Sequence, residues 1–299
     1  MRVGYPAINL ELEPQGRPPN MLSRSPEKLA QEISRNLDVL ERTLRFNAER
    51  GLLFFRLRPD LVPHDSLTGA PLDWAARFSA RLGELGAFVR AHGMRINVHA
   101  HLATSLILRR PEDRAESAQE LRHLAALLDA FGLPPSDKVQ LHLGPVHTDA
   151  DTSLAMFAAA VSDLEEPVRR RLAVENDNIF CSLERCLRVH AETGLPVVFD
   201  VLHHEVDNRG EPVREALEKA AATWRPADGP PMVDYSTQRP GVMPGKHAEH
   251  LDPARFLAFL EAARGLDFDL MLEFKDRERS ALEALRLLEG DRRLAGRPG

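Results

Sequence analysis

The chain has 299 residues, of which 43% are hydrophobic, and a formal net charge of −6 at pH 7. This length and apolar content suffice for a large core, so we expect a single domain over residues 1–289 and a flexible C-terminal tail over residues 290–299. The sequence contains no stretch of roughly 18 apolar residues and no basic segment followed by an apolar one, so we expect a cytoplasmic protein without a membrane span or secretory signal. We also expect a monomer.

Short apolar segments alternate with helical patterns along the whole chain. Strands are predicted at residues 2–5, 52–57, 94–99, 138–142, 171–175, 195–200, 231–234 and 266–273. Helices are predicted from residue 25, at 74–92, 111–131, 150–164, 182–193 and 211–223, from 253, and at 279–288. The first helix is the clearest, because Ser25 can cap it, Pro26 suits its first turn and leucines follow at helical spacing.

Strict alternation of this kind predicts a parallel sheet with crossover helices, and eight units predict a closed TIM (β/α)8 barrel. A doubly wound open sheet is the alternative, but it would use fewer strands and usually a Gly-rich phosphate turn after the first strand. The loop Leu143-Gly144-Pro145 lacks the glycine spacing of a nucleotide-binding loop, so the barrel is favoured.

The predicted strands end in residues that can bind metal ions. The sixth strand ends at Asp200, which His203 follows, although Asp200 could instead cap the next helix. The same event recurs at five other strands, which end at His99, His142, Glu175, Asp234 and Glu273. Because parallel barrels place their active sites at the carboxyl ends of the strands, we expect these side chains to meet at one mouth. Carboxylate and imidazole ligands suit zinc, manganese or iron, and shared carboxylates favour a cluster.

The net negative charge does not decide between DNA and a small substrate. Phosphate binding depends on Lys and Arg, but about three divalent ions would add about six positive charges to an acidic mouth. Basic residues on the loops at the predicted mouth could hold phosphates, namely Arg17, Arg24, Arg56, Arg58, Arg109, Arg110, Arg114, Arg239 and Lys246.

The chain has two cysteines, Cys181 and Cys186. They are five residues apart in what we predict as one helix, which would place them on different faces. Two thiols so arranged do not form a disulfide framework, so we expect reduced structural thiols.

A series of motifs runs in order along nearly the whole chain. It comprises Gly4-Tyr5-Pro6 with Asn9-Leu10, Leu44-Arg45-Phe46-Asn47, Phe55-Arg56, His142-Leu143-Gly144, Glu175-Asn176-Asp177, Asp200-Val201-Leu202-His203-His204, Pro244-Gly245-Lys246-His247 and Glu273-Phe274-Lys275. This series resembles that of the UV damage endonucleases, a TIM-barrel family related to the apurinic endonucleases and xylose isomerase-like enzymes. The resemblance implies nicking of DNA on the 5′ side of UV photoproducts with a cluster of divalent ions, typically manganese. We expect two or three ions, with manganese as the metal and zinc as the alternative.

The resemblance also implies roles for individual residues. The metal ligands that it implies are His99, His142, Glu175, Asp200, His203, His247 and Glu273. Tyr5 and Asn9 resemble residues near the bound DNA. Lys275 follows the last ligand as the family pattern expects, and we count it among the catalytic residues. Activation of a water and stabilisation of the scissile phosphate by the ions are implied, with Glu175 as a bridge and Glu273 orienting the attacking hydroxide.

The chain departs from the family pattern in three places, one of which is Leu67, where relatives carry a histidine of the second βα loop. Relatives commonly carry His-Pro-Gly-Gln-Tyr after strand three, where the Gln and the aromatic side chain probe the lesion. This chain carries His99-Ala100-His101-Leu102-Ala103, and Leu102 and Ala103 cannot supply those hydrogen bonds or that stacking surface. A Lys-x-His of strand seven is replaced by Met232-Val233-Asp234, in which Asp234 can still bind a hard ion.

Three functions follow from these patterns. The first is a metal-dependent DNA repair endonuclease that acts on damaged double-stranded DNA. The second is a small-molecule enzyme on the same barrel, such as a sugar isomerase or epimerase, in which His101 would transfer protons. The third is a noncatalytic DNA-binding protein with structural metals, which the many ligands facing an open mouth disfavour.

Overall fold

The computed structural model describes residues 1–13, 25–64, 72–145 and 149–295, and a closed barrel of eight parallel strands lies at its centre. The strands are hydrogen-bonded in chain order, and the last one pairs with the first. They are β1 (Val3–Pro6), β2 (Phe54–Leu57), β3 (Arg95–His99), β4 (Val139–His142), β5 (Leu172–Glu175), β6 (Val197–Asp200), β7 (Met232–Tyr235) and β8 (Asp269–Leu272). The predicted TIM barrel is therefore confirmed, and the open-sheet alternative is excluded.

The helices of the described ranges connect successive strands. They are α1 (Pro26–Glu49), α2 (Trp74–Arg77), α3 (Ser79–Ala91), α4 (Pro111–Ala130), α5 (Ala150–Ser162), α6 (Glu166–Arg169), α7 (Leu183–Thr193), α8 (Val201–Val206), α9 (Val213–Ala221), α10 (Pro253–Ala262) and α11 (Glu278–Leu287). The helix predicted at 74–92 is broken at Phe78, and the short helix α8 was not predicted. None of the helices in the described ranges is long and apolar enough to cross a bilayer.

The first helix shows how the apolar pattern directs packing. The leucines and isoleucine of α1 that are three or four residues apart are all buried in the core between helices and barrel: Leu29, Ile33, Leu37, Leu40 and Leu44. Pro26 lies in its first turn as predicted. Ser25 occupies the N-cap position, but its hydroxyl donates to the Glu27 carboxylate (2.7 Å) instead of capping the helix.

The interior of the barrel is layered because side chains alternate along each strand. A floor of charged residues includes Arg95, paired with Asp269 (3.0 Å), and Lys138, paired with Asp228 (2.6 Å). An apolar layer lies above it, formed by Phe54, Ala173, Val198, Met232 and Met271. Strand β1 adds no side chain at Gly4, where a Cβ would lie 1.4 Å from the carbonyl oxygen of Phe54. The apolar layer therefore separates the floor from the mouth, where the next inward residues are polar.

The C-terminal segment lies against the bottom of the barrel as far as the structure describes it. The Arg293 guanidinium donates to the carbonyl oxygen of Ala263 (2.8 Å), and the amide of Ala295 donates to that of Met1 (2.8 Å). Leu294 packs against the hydrophobic core. Residues 290–295 of the predicted tail are thus packed, and residues 296–299 lie outside the described ranges.

The prediction that Cys181 and Cys186 lie on different helix faces is wrong. Helix α7 begins at Leu183, so Cys181 belongs to the preceding loop and folds back over the first turn. The two sulfur atoms are 3.1 Å apart, and both side chains are buried and unlinked. They are therefore packed together as free thiols beside the loop that follows β5.

Candidate metal centre

Glu175, at the end of β5, is the centre of the polar layer at the mouth. One group of potential ligand atoms joins it to His99 and His142, and a second group joins it to Asp200 and Asp234. Within each group the ligand atoms all lie within 4.8 Å of one another. Because the two groups share Glu175, its carboxylate is placed to bridge two cations.

The Glu175 carboxylate is held by neighbours from β3 and β4. Its Oε2 accepts hydrogen bonds from His99 Nε2 (2.8 Å) and from Gln140 Nε2 (2.6 Å), and His142 Nε2 lies 3.6 Å away. Burial alone would raise the pKa of this carboxyl, but His142, His99 and the nearby guanidinium of Arg56 hold the pKa well below its usual range. Glu175 is therefore an anion in a buried position.

The His99 ring is arranged as in a metal-binding histidine. Its Nδ1 faces the carbonyl oxygen of Ala100 (2.6 Å) while its Nε2 faces Glu175. Burial lowers the pKa of His99, but the hydrogen bond to Glu175, the charge of Glu175 and the hydrogen bond to Ala100 together outweigh burial, so the net pKa is raised. An imidazole with both nitrogens on oxygen acceptors carries two protons, or a metal ion in place of one of them.

Asp200 has two distinct roles at the start of α8. Its Oδ1 accepts a hydrogen bond from the backbone amide of His203 (2.7 Å), so Asp200 caps that helix. The sequence had offered helix capping as the alternative to metal binding for this residue. Its Oδ2 is buried and has no hydrogen-bond partner in the part of the chain that the structure describes, and His203 Nε2 is 4.0 Å away. Burial and the neighbouring carboxylates raise the pKa of the Asp200 carboxyl well above its usual range.

Further buried atoms at the mouth lack a partner among the described residues. They are His142 Nδ1, His203 Nδ1 and Asp177 Oδ2. An unpaired buried polar atom costs free energy, and these three atoms and Asp200 Oδ2 would each gain a partner from a bound cation. Oxygen and imidazole nitrogen donors fit a divalent cation, so the residues present fit the metal that the resemblance implied.

His247 and Glu273 complete the group from β7 and β8. Ser236 Oγ is 2.7 Å from His247 Nδ1, which leaves Nε2 facing Glu273 Oε2 at 3.6 Å. The rings of His203 and His247 meet edge to face with centroids 5.8 Å apart. Burial opposes ionisation of Glu273, but Arg56 and His247 lower its pKa, so it is also an anion.

Arg56 is the buried cation of the site. Its Nη2 donates to both oxygens of Asp234 (2.8 and 2.7 Å) and to Gln140 Oε1 (3.0 Å), while its Nη1 donates to Glu273. Burial lowers the Arg56 pKa, but its carboxylate partners raise it by more. Burial, Glu273 and Glu175 together outweigh Arg56 and raise the pKa of Asp234 to about 7.

The structure thus brings the predicted metal-binding residues together at one mouth. They are His99, His142, Glu175, Asp200, His203, Asp234, His247 and Glu273. Arg56 was predicted as a DNA contact on a loop, and the structure places it inside the barrel instead, because it is an inward residue of β2. Gln140 was missed, although its position two residues before His142 on a buried strand is the signal that would have found it.

Other predicted site residues lie apart from this group. His101 is 44% exposed, and its Nδ1 is 2.8 Å from Glu120 of α4. Tyr5 and Asn9 are buried, and the Tyr5 hydroxyl donates to Asn47 Oδ1 (2.8 Å) while accepting from Asn9 (2.8 Å), so neither faces the surface.

The predicted DNA contacts Arg109, Arg110 and Lys246 have exposed side chains, and so has Lys275, which was predicted as a catalytic residue. Lys246 and Lys275 line a cavity of about 360 Å³ together with His247. That cavity therefore opens directly beside the metal-binding group. Arg17 and Arg24 lie outside the described residues.

Comparisons with known proteins point to one family. A family model described as UV-endonuclease UvdE matches residues 20–295. The UV DNA damage endonuclease of Clostridium perfringens is 26% identical over 267 residues, which cover 89% of this chain and 65% of that protein. That of Bacillus velezensis is 26% identical over 283 residues, which cover 92% of this chain and 88% of that protein. This chain thus spans just under two thirds of the Clostridium relative and most of the Bacillus one.

Solved structures agree with the sequence matches. The crystal structure of SacUVDE is 34% identical and superposes with a TM-score of 0.90 over 97% of this chain and 98% of that one. The 3-keto-D-glucoside 4-epimerase YcjR from E. coli superposes with a TM-score of 0.61 at 13% identity, covering 97% of this chain and 99% of that one. At that identity the epimerase shares the fold alone.

Proposed function

The chain belongs to the UV-endonuclease UvdE family, and from that premise we propose that it is a metal-dependent DNA repair endonuclease. We propose that it hydrolyses a phosphodiester bond on the 5′ side of a damaged nucleotide in duplex DNA. The observation that carries the proposal is that two groups of potential ligand atoms share the carboxylate of Glu175. Around it lie buried oxygen and nitrogen atoms that have no hydrogen-bond partner among the described residues.

The proposed ligands are the eight carboxylates and imidazoles gathered at the mouth, holding two or three ions. Manganese is the proposed metal and zinc the alternative, because mixed oxygen and nitrogen donors suit both. Divalent ions supply the positive charge that phosphodiester hydrolysis needs at the attacking and leaving oxygens. Glu175 is the proposed bridge because it is anionic and belongs to both groups.

The side chains of the chain itself prepare this site. Arg56 orients Asp234 and Glu273, so the mouth is partly neutralised before any phosphate arrives. Ser236 fixes the ring of His247, which leaves its Nε2 toward the centre. Because Arg56 occupies Oε1 of Glu273, Oε2 is the oxygen proposed to accept the proton of an attacking water.

The proposed DNA contacts surround this centre. Lys246 and Lys275 are exposed beside His247, and neither forms an ion pair with a described residue. Arg109 and Arg110 are exposed where α4 begins, on the side of the mouth formed by β3. These cations would bind phosphates flanking the scissile one, which supports a duplex substrate despite the net charge of −6.

The sugar isomerase alternative has less support. It assigned proton transfer to His101, whose side chain is bound to Glu120 outside the metal-binding group. The epimerases among the structural matches support a common barrel, not a common substrate.

Metal analysis beside a nicking assay tests the proposal. Purified protein is expected to retain divalent metal and to nick irradiated or abasic duplexes faster than intact ones. Glu175→Gln should lose both tightly bound metal and nicking, while Glu184→Gln, an exposed acid of α7, serves as the matched control and should lose neither. A Glu175→Gln variant that binds as much metal as the wild type would contradict the proposed metal cluster. A metal-loaded wild-type protein that nicks none of these duplexes contradicts the endonuclease.

A further inference from the structure

Large apolar side chains are unusually exposed on the loops around the mouth. Leu102 is 82%, Ile179 72% and Met243 71% exposed, and they belong to the loops that follow β3, β5 and β7. Phe180 and Val242, their neighbours in the last two loops, are exposed as well. The other exposed large apolar side chains of the described residues lie on helices and are less exposed than Leu102, Ile179 and Met243, namely Met156, Val206 and Leu257. Apolar exposure is therefore concentrated on the face that carries the metal centre.

The loop after β5 presents Ile179 on a fixed turn. Asp177 Oδ1 accepts the backbone amides of Ile179 (2.7 Å) and Phe180 (2.5 Å), and the Asp177 amide donates to the carbonyl oxygen of Cys181 (2.8 Å). The guanidinium of Arg185 holds the carbonyl oxygen of Phe180 (2.6 Å). With its backbone held at these points, the turn cannot fold Ile179 away from solvent without breaking hydrogen bonds.

The loop after β7 presents Met243 in the same manner. Gln238 and His247 form an antiparallel bridge that closes the loop at its base. The side chain of Gln238 crosses the loop, since its Nε2 donates to the carbonyl oxygen of Met243 (3.1 Å) and its Oε1 accepts the amide of Gly245 (2.8 Å). Met243 thus lies at the tip of a braced loop whose base carries a residue of the metal-binding group.

The two loops are in direct contact. Gly245 has a φ of +80°, and a Cβ there would lie 2.4 Å from Asn178 Oδ1. Asn178 immediately precedes Ile179, and Gly245 is two residues from Met243. This contact of the Asn178 side chain with the Gly245 backbone links the two loops, so their apolar tips belong to one feature of the rim.

Cations flank this apolar feature on the side of the metal centre. The cavity beside it is lined by Arg239, Val242, Met243, Lys246, His247 and Lys275. An apolar tip next to exposed lysines suits duplex DNA, because the cations bind phosphates while the apolar side chains enter between base steps.

We propose that Ile179 and Met243 form an apolar wedge that enters the base stack of duplex DNA at the lesion. The wedge favours duplexes whose stacking is already weakened, because opening a damaged step costs less than opening an intact one. Leu102 and Ala103, after β3, cannot probe the lesion by hydrogen bonding or stacking. In this proposal the side chains on the loops after β5 and β7 detect the lesion instead. The inference rests on the proposed endonuclease function and names the residues that select its substrate.

Stopped-flow fluorescence of a duplex with 2-aminopurine beside an abasic site tests the wedge. The metal-loaded wild-type protein should raise the fluorescence of the unstacked base before the strand is nicked. The double variant Ile179→Ser and Met243→Ser should lose most of that rise and at least about tenfold of its nicking rate on the abasic duplex. Its metal content and its affinity for an intact duplex should stay within about twofold of the wild type. The matched control is Met156→Ser with Leu257→Ser, which removes exposed apolar side chains from α5 and α10 and should behave as wild type.

The outcomes separate this inference from the function on which it rests. A double variant that folds, keeps the full fluorescence rise and nicks the abasic duplex at the wild-type rate overturns the wedge and leaves the endonuclease intact. Equal losses in the control pair overturn it too, because general surface apolarity would then be responsible. A wild-type protein that neither binds nor nicks any duplex overturns the function and the wedge together.

Discussion

Replacing Arg56 with methionine is expected to destabilise the protein, and to do so more strongly at alkaline than at mildly acidic pH. The guanidinium donates to both oxygens of Asp234 and to Glu273, and all three side chains are largely buried. Methionine fills a similar volume but leaves those carboxylates without their cation. Removing one partner of a buried ion pair typically costs about 3–5 kcal/mol, which is the loss expected at about pH 8.5 in the metal-free protein.

The pH dependence follows from Asp234. Burial raises its pKa to about 7 even with Arg56 in place, so in the folded wild type it ionises near neutrality. Without the guanidinium the folded pKa rises further, whereas the unfolded chain has ionised far below this range. The folded variant then binds one more proton than its unfolded chain above about pH 7, and its stability falls by about 1.4 kcal/mol per pH unit. The deficit relative to wild type should therefore grow by about 2 kcal/mol between about pH 7 and about pH 8.5.

Urea unfolding with a chelator at several pH values measures this effect. The double variant Arg56→Met with Asp234→Asn is the control, because it lacks the titrating carboxyl. Its loss of stability relative to wild type should not increase with pH. A deficit under about 1 kcal/mol at about pH 8.5, or one that shrinks as the pH rises, would refute the assigned role of the guanidinium.

Three further predictions concern the mouth. Ser236→Ala should leave the fold intact but weaken metal binding about 10- to 100-fold by freeing the ring of His247, as measured by competition with a chelating dye. Gly245→Ala should lower the free energy of unfolding by about 1–2 kcal/mol in urea titrations, because the residue has a φ of +80° and the loop after β5 lies against it. Replacing both Lys246 and Lys275 with alanine should reduce the slope of log affinity for duplex DNA against log salt by about 2, as measured by fluorescence anisotropy.

Each of these has a control on the outer helices or loops. Ser280 bonds to Asp276, which is not one of the proposed metal ligands, so Ser280→Ala should leave metal affinity unchanged. Equal losses in both serine variants would remove the assigned role of Ser236. Gly210 also has a positive φ but open space around it. Gly210→Ala therefore measures the cost of the backbone conformation alone, without the contact between loops that Gly245→Ala also disturbs. Lys219→Ala on α9 should leave the salt slope unchanged, and an unaltered slope in the double lysine variant would place the DNA elsewhere.

The barrel and most residues of its mouth could be predicted because their signals are local. A buried strand that ends in an acid or a histidine is visible within a few residues, as at Glu175 and Asp200. Parallel pairing then places all such endings at one edge without further information. The short helix α8 escaped because six residues are too few to show a helical period, although Asp200 marks its start.

The position of Arg56 could not be predicted from local signals. Its partners Asp234 and Glu273 are 178 and 217 residues away along the chain, and nothing near position 56 shows whether a charge at a strand end points to solvent or to other charges. Gln140 is a different case, since alternation on β4 already predicts that it shares a face with His142.

His101 shows where alternation stops being reliable. It is two residues after His99, which would place it on the same face if the strand continued. Strand β3 ends at His99, however, and the chain then turns so that His101 meets Glu120 of α4. The cysteines were misjudged for a related reason, because Cys181 was counted as part of the helix although α7 begins at Leu183 and leaves Cys181 in the preceding loop.

Anomalous diffraction from crystals grown with Mn²⁺ tests the central claim most directly. The claim is that Glu175 bridges cations held by imidazoles on one side and carboxylates on the other. It predicts at least two manganese peaks at bonding distance from the ligand atoms, with Glu175 in contact with both. Saturating Mn²⁺ with no peak beside Glu175, and with the His99 hydrogen bond to its carboxylate intact, would contradict it.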